Sequence, residues 1–279
     1  MNLKTYNNIT YGPYQRNVLD AYLVEKDGEP TPVLVYFHGG GYIKGDKSEI
    51  TYLPLMQECL EAGISVITCN YRFITNDPYP APMQDGTRAI QFVRSMAAEW
   101  NLDPSRIASG GSSAGGHLAL WNALRGDLSL PDSADPIERY SSEVAAIVGS
   151  GTQASKDQRF YEGIYEGPLI QQNLTLFFGI PSFEELYTPA CLRLAEQASA
   201  INHMSENAPP AFMSYSMEIA FDELRIPADA SANDVIHHPM HGYMLKQRYE
   251  EYGIPFVFRH IHDPVRPGER VRFLLEHIG

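Results

Sequence analysis

Cysteine is scarce in this sequence: Cys59, Cys69 and Cys191 are the only three in 279 residues. An odd count with no C-x-x-C pair argues against a disulfide framework or a thiolate-held metal, and predicts buried free thiols in a reducing compartment. Long apolar runs are missing as well. Stretches such as 32–37 and 143–148 fall far short of the ~18 residues needed to cross a bilayer, so no membrane span is expected. Positive charge is in deficit, with 21 Lys+Arg against 34 Asp+Glu and a formal net charge of −13, which speaks against a nucleic-acid surface. Residues 1–10 hold a single Lys4, alternating asparagines and no apolar core. A cytoplasmic location is therefore expected unless a leader has been removed. No repeat, low-complexity tract or Pro/Ser linker marks a second domain, and 1–279 reads as one unit.

What is present is 44% hydrophobic and 20% charged residues, enough for a globular chain that buries roughly 75% of its unfolded surface. Short β-rich runs alternate with longer helical ones. Strands are predicted at 32–37, 64–69, 106–108, 144–148, 211–215 and 254–261. Helical patterns fall at 48–61, 83–100, 114–124, 239–252 and 268–278, and in the second of these Ile90, Val93 and Ala97 recur at i, i+3 and i+7. This alternation predicts an α/β fold with a doubly wound, mostly parallel sheet covered on both faces. The stretch 151–210 breaks the rhythm, with aromatic residues from Phe160 to Phe178 and prolines at 168, 181 and 189. Long irregular insertions of this kind are commonly functional, and a cap over a site is expected here.

Two motifs carry chemistry. Gly111-Ser112-Ser113-Ala114-Gly115 fits G-x-S-x-G, a pattern that composition alone produces in about one chain in ten of this length. Its context makes it informative, because it follows a predicted strand and opens a predicted helix, which would set Ser113 on a tight turn at a helix N-terminus. A side chain at Gly111 or Gly115 would crowd that turn. His38-Gly39-Gly40-Gly41-Tyr42 ends the first strong strand, and a histidine before three glycines arises by chance in on the order of one chain in several hundred. Consecutive glycines let backbone N–H groups approach a ligand oxygen, as an oxyanion hole requires. A glycine-rich turn and a serine helix cap are the ordinary alternatives, and the pairing of both motifs in this order and strand context disfavours them.

Through these motifs the chain resembles the α/β-hydrolase superfamily, specifically the HGGG-type esterases related to hormone-sensitive lipase and to bifunctional feruloyl/acetyl-xylan esterases. The likeness extends through 19–23, 32–47, Asn70-Tyr71-Arg72, Pro80-Ala81-Pro82 with Asp85, 103–107, 110–116 and 199–210. It implies a sheet of about eight strands, Ser, acid and His in that chain order, and oxyanion donors at the backbone of Gly40, Gly41 and Ala114. His38 would steady the oxyanion loop through a hydrogen bond, and Arg72 and Asp85 would make structural contacts. The acid departs from the family's G-x-x-D pattern: Asp222, Asp229 and Asp234 follow the 211–215 strand. Asp234 is preferred because its interval to Gly253 resembles the family's acid-to-glycine spacing, with Asp222 in reserve. The histidine is expected just after the last strand, at His262, with His260 in reserve. His237, His238 and His241 invite a metal reading. Pro239 fits the first turn of a helix and puts His237 outside it, so the pair 237 and 241 shares no helical face. Neither a metal nor a cofactor is expected.

The expected activity is hydrolysis of a small-molecule carboxylic ester with a short acyl group, acetyl or feruloyl on a carbohydrate, through an acyl-enzyme at Ser113. A degenerate hydrolase that binds a small ligand without turnover is the rival, and peptide cleavage on the same fold a third reading. Neither nucleic acid nor membrane is an expected partner; a homodimer is compatible with the sequence, and acyl length, alcohol moiety and oligomeric state stay open.

Overall fold

The computed structural model describes residues 2–26, 28–167, 173–219 and 225–279. Eight strands form one sheet: β1 (Asn2–Thr10), β2 (Val18–Glu25), β3 (Thr31–Phe37), β4 (Ser65–Cys69), β5 (Leu102–Ser112), β6 (Ala146–Ser150), β7 (Ala211–Ser214) and β8 (Phe256–Arg259). Their spatial order is β1-β2-β4-β3-β5-β6-β7-β8. β1 and β2 run antiparallel to their neighbours, and every pairing from β4 through β8 is parallel. The helices are α1 (Pro54–Glu61), α2 (Ala81–Ser95), α3 (Ala97–Trp100), α4 (Ala114–Leu124), α5 (Gln158–Ile164), α6 (Leu174–Phe178), α7 (Pro189–Ala198), α8 (Ala232–His237), α9 (Met240–Tyr252) and α10 (Glu269–Ile278).

Every residue of β3 and β4 is buried, the signature of parallel strands covered on both faces. Alternation along β3 sends Val33, Val35 and Phe37 into the larger apolar cluster, with α2, α4 and α9, and Leu34 and Tyr36 into a second cluster with α1 and α10. α4 is buried along its whole length behind the central strands. The predicted helix at 83–100 is two helices joined at Met96, and the 48–61 pattern is a short 3-10 turn (Lys47–Tyr52) followed by α1. β1 and β2 were not expected from periodicity. β1 is an exposed, polar edge strand, so it carries no apolar alternation to read.

Between β6 and β7, the described parts of 151–210 hold α5, α6 and α7, and Asn173, Leu174 and Phe177 from this stretch line a pocket beside Ser113. The three cysteines are buried free thiols, and burial pushes the Cys59 thiol up to about 12. Among the described residues no helix is long and apolar enough to cross a membrane.

A buried ion pair ties the start of α2 to the loop after β4. Arg72 Nη2 and Nε donate to Asp85 at 2.8 and 3.0 Å, and the Arg72 backbone N–H donates to the same carboxylate at 2.7 Å. Removing one member of such a pair leaves an uncompensated buried charge. Asp85→Ala is expected to lower unfolding free energy by about 3–5 kcal/mol, read from the midpoint of chemical denaturation; a loss below about 1 kcal/mol would contradict this account.

Candidate active site

β5 ends at Ser112 and α4 begins at Ala114, so Ser113 bridges strand and helix in a single residue. Its backbone is forced to φ 49° and ψ −115°, a conformation that costs an L-residue about 1–3 kcal/mol and persists only where the surroundings impose it. They do so through bare backbone contact. A Cβ on Gly115 would lie 2.1 Å from the Phe37 carbonyl oxygen and 2.3 Å from that of His38, and one on Gly111 would lie 2.4 Å from the Gly115 carbonyl carbon. The turn is therefore pressed against the end of β3, where the His38–Gly41 loop begins. The Ser113 N–H donates to Ser150 O at 2.8 Å, which anchors the turn to β6 as well.

The glycine loop is held from behind. Arg16 Nη2 lies 3.3 Å from His38 Nε2 and can only donate, so His38 Nδ1–H donates to Gly39 O at 2.7 Å. Tyr71 stacks on the imidazole at 4.4 Å and donates its hydroxyl to His38 O at 2.7 Å. Burial pulls the His38 pKa down, which keeps the ring neutral. Tyr42 donates to His117 Nδ1 at 2.8 Å, while His117 Nε2 donates to Ala198 O. Among the described residues, the N–H groups of Gly40, Gly41 and Ala114 donate to no protein acceptor.

The partner of the serine is His237. Ser113 Oγ and His237 Nε2 are 2.7 Å apart, and His237 Nδ1 lies 2.9 Å from Asn233 O. A carbonyl only accepts, so Nδ1 carries the proton and Nε2 presents its lone pair to the serine hydroxyl. Burial lowers the His237 pKa, and the proton is held off further by the charge on Lys156. A neutral imidazole so oriented can take the serine proton as the oxygen attacks a carbonyl.

His237 closes α8, a six-residue helix capped at its start by Ser231 Oγ, which accepts from Asp234 N–H. Val235 anchors α8 in a satellite cluster with Tyr161, Ile164, Tyr165, Ile219, Ile226 and Met240. The carbonyls at the end of α8 find side-chain donors: His241 Nε2 lies 3.2 Å from Val235 O and Gln153 Nε2 donates to Ile236 O at 2.9 Å. Gly151 lets the ring come close, since a Cβ there would meet His237 Cδ2 at 3.2 Å.

The expected histidines lie elsewhere. β8 stops at Arg259, and a tight turn follows in which His260 N–H donates to Asp263 O at 3.2 Å and Arg259 pairs with Asp263 at 2.9 Å. That turn leaves the side chain of His262 on the surface, 2.8 Å from exposed Glu218. His260 sits beside it, its Nδ1 accepting the His262 N–H, and neither bonds to Ser113. Asp234 is also displaced from its expected role. Its carboxylate accepts no hydrogen bond from a histidine among the described residues, and the position at His237 Nδ1 belongs to the Asn233 carbonyl. The Asp234 charge works against the larger effect of burial, which pulls the His237 and His238 pKa values down. Asp222, the reserve acid, lies outside the described residues. His237 and His241 face different partners, the latter accepting from Ala154 N–H. Sequence reasoning dismissed His237 together with the metal reading. The signal for it was a serine cap at 231 and a proline at 239 bracketing one short helical turn that ends in histidine.

The site opens on a pocket of about 200 Å³ whose walls include Tyr42, Ile74, Leu174, Phe177 and Ile236, with Gln153 and Lys156 as polar elements. Eight strands in this order, a strained serine at a strand-to-helix turn and a facing imidazole define an α/β-hydrolase. A family model described as BD-FAE matches residues 19–218, and the chain belongs to the BD-FAE family. The match ends before the segment that carries His237. The chain is 28% identical over 228 residues to a probable isoprenylcysteine alpha-carbonyl methylesterase, ICMEL1, of Arabidopsis thaliana, covering 80% of this chain and 45% of that protein. It spans about half the length of the curated relatives it matches. Among solved structures, an acetyl ester-xyloside bifunctional hydrolase from Caldicellulosiruptor lactoaceticus superposes with a TM-score of 0.66 at 25% identity, covering 92% of this chain and 81% of that one. A truncated carbohydrate esterase from gut microbiota superposes with a TM-score of 0.74 at 20% identity, covering 98% and 96%.

If His237 is the group that deprotonates the hydroxyl, His237→Ala should slow fluorophosphonate labelling of Ser113 by about 10³-fold or more, while His262→Ala stays within about twofold of the parent. Labelling rates followed by intact-protein mass spectrometry separate the two, and the reverse ranking would return the role to His262.

Proposed function

We propose that the protein is a serine carboxylic-ester hydrolase acting on short-chain acyl esters. The observation that carries this reading is the 2.7 Å contact between Ser113 Oγ and His237 Nε2. In the proposed reaction Ser113 Oγ bonds to the ester carbonyl carbon as its proton passes to His237 Nε2. The oxyanion is held among the N–H groups of Gly40, Gly41 and Ala114, each donor being worth roughly 10²–10³ in turnover. Collapse of the tetrahedral species breaks the bond to the alcohol oxygen, which receives the proton from His237. Water, deprotonated by the same imidazole, then releases the acid and frees Ser113.

Pocket size supports a short acyl group, because about 200 Å³ is below the range usual for drug-sized ligands, and so weighs against a bulky aromatic acyl such as feruloyl. The relatives and neighbours include proteins named as a methylesterase, a carboxylic ester hydrolase and an acetyl ester-xyloside hydrolase, and acetyl esters of carbohydrates are the substrates we favour. A second reading, ligand binding without turnover, draws on one feature: a backbone carbonyl, not a carboxylate, orients His237. A carbonyl sets the tautomer and gives the imidazolium less stabilisation than a full negative charge.

With p-nitrophenyl acetate, steady turnover is expected, and Ser113→Ala should reduce kcat by about 10⁴-fold or more. A protein that neither hydrolyses this ester nor takes a fluorophosphonate at Ser113 would overturn the proposal, and acylation that stops after one burst would favour the binding reading. Only the neutral imidazole accepts a proton, and the His237 pKa is lowered from 6.5. The rate should therefore be full at neutral pH and fall on acidification with a midpoint below 6.5 in a kcat/KM profile.

A further inference from the structure

The proposed reaction leaves Lys156 unused, although it lines the same pocket as Ser113. Lys156 is only 8% exposed. Its Nζ contacts Gln153 Oε1 at 3.3 Å and lies 5.4 and 5.3 Å from the ring centres of Tyr42 and Phe177. No carboxylate among the described residues pairs with it, because the neighbouring Asp157 is taken up by Arg159. Burial pushes the ammonium down to about 7, and no acid among the described residues offsets that effect. An amine so placed is divided between its neutral and ammonium forms near neutral pH, and an anion beside it would favour the ammonium. A neutral ester would leave it so, whereas an anion brought in with the substrate would meet it in a low-dielectric site where the attraction is strong. The protein's net charge of −13 gives anionic molecules no long-range attraction, so any preference for them must arise from this local cation.

We propose that Lys156 is a specificity-determining residue and that the pocket takes esters bearing a carboxylate, which pairs with the Lys156 ammonium while the ester carbonyl faces Ser113. The proposal rests on the hydrolase reading and narrows its substrate class.

The test compares two matched pairs of esters. In 4-acetoxybenzoate against its methyl ester the carboxylate is on the alcohol side. In mono-4-nitrophenyl succinate against 4-nitrophenyl butyrate it is on the acyl side. The anionic member of at least one pair should show a kcat/KM about tenfold or more above its neutral partner. Lys156→Met should bring that ratio to about one or below, and Lys156→Arg should retain the preference. The responding pair identifies which half of the ester meets Lys156. Turnover of neutral esters with no anionic preference in either pair, or a preference that Lys156→Met leaves unmoved, overturns the proposal and spares the hydrolase reading. Absence of turnover with every ester and of fluorophosphonate labelling defeats the hydrolase reading itself. Calorimetric binding of 4-acetoxybenzoate to Ser113→Ala protein then decides on the lysine alone: about tenfold weaker binding in Ser113→Ala/Lys156→Met upholds the pairing, and equal affinity rejects it.

Discussion

The backbone of the β5–α4 turn rests directly on the backbone at the end of β3, and the Cα of Gly115 has no room for a side chain between them. That contact sets the distance from Ser113 to the His38–Gly41 loop by the thickness of two main chains, a length that side-chain rotamers cannot relax. The strain at Ser113 is supportable because β5 pairs with both β3 and β6 up to the turn and α4 is buried throughout behind it. The loop is fixed from the other side by Arg16, Tyr71 and the neutral His38 ring. The serine turn and the glycine loop are thus brought side by side because rigid elements converge there.

His237 reaches the serine by a different route. α8 is too short to be stable alone, and it is held by Val235 in a small apolar cluster shared with α5 and by side chains that cap its last carbonyls. The imidazole takes its tautomer from a carbonyl of its own helix, four residues back. In consequence the ring's orientation depends on α8 keeping its helical form, and so on the packing of α5 and α9 against α8. The same wall carries Gln153, which joins α8 to Lys156 through its two ends. The polar features of the pocket are therefore mechanically linked.

How much of this could be read in advance differs element by element. β3, an apolar run from Pro32 to Phe37, was plain as a buried strand, β4 was legible as a strand despite Ser65 and Thr68, and so was the strand-to-helix step at Ser113. Their burial on both faces leaves a local trace in composition. β1 was invisible because an exposed edge strand has no apolar period. His262 was the expected base because the resemblance fixes a place in chain order, after β8. The turn from His260 to Asp263 is too tight to carry a side chain back to the site, and the chain has no glycine there to open it.

By itself the sequence determined the parallel sheet, the serine turn and the glycine loop, since each is encoded within a few consecutive residues by apolar runs or by glycines that admit close backbone approach. Only the tertiary structure decided which imidazole meets the serine, what orients that imidazole, and that a lysine stands in the pocket wall with no carboxylate paired to it among the described residues. Those depend on contacts between segments such as 113 and 237, more than a hundred residues apart, which are governed by packing between segments that no local pattern records.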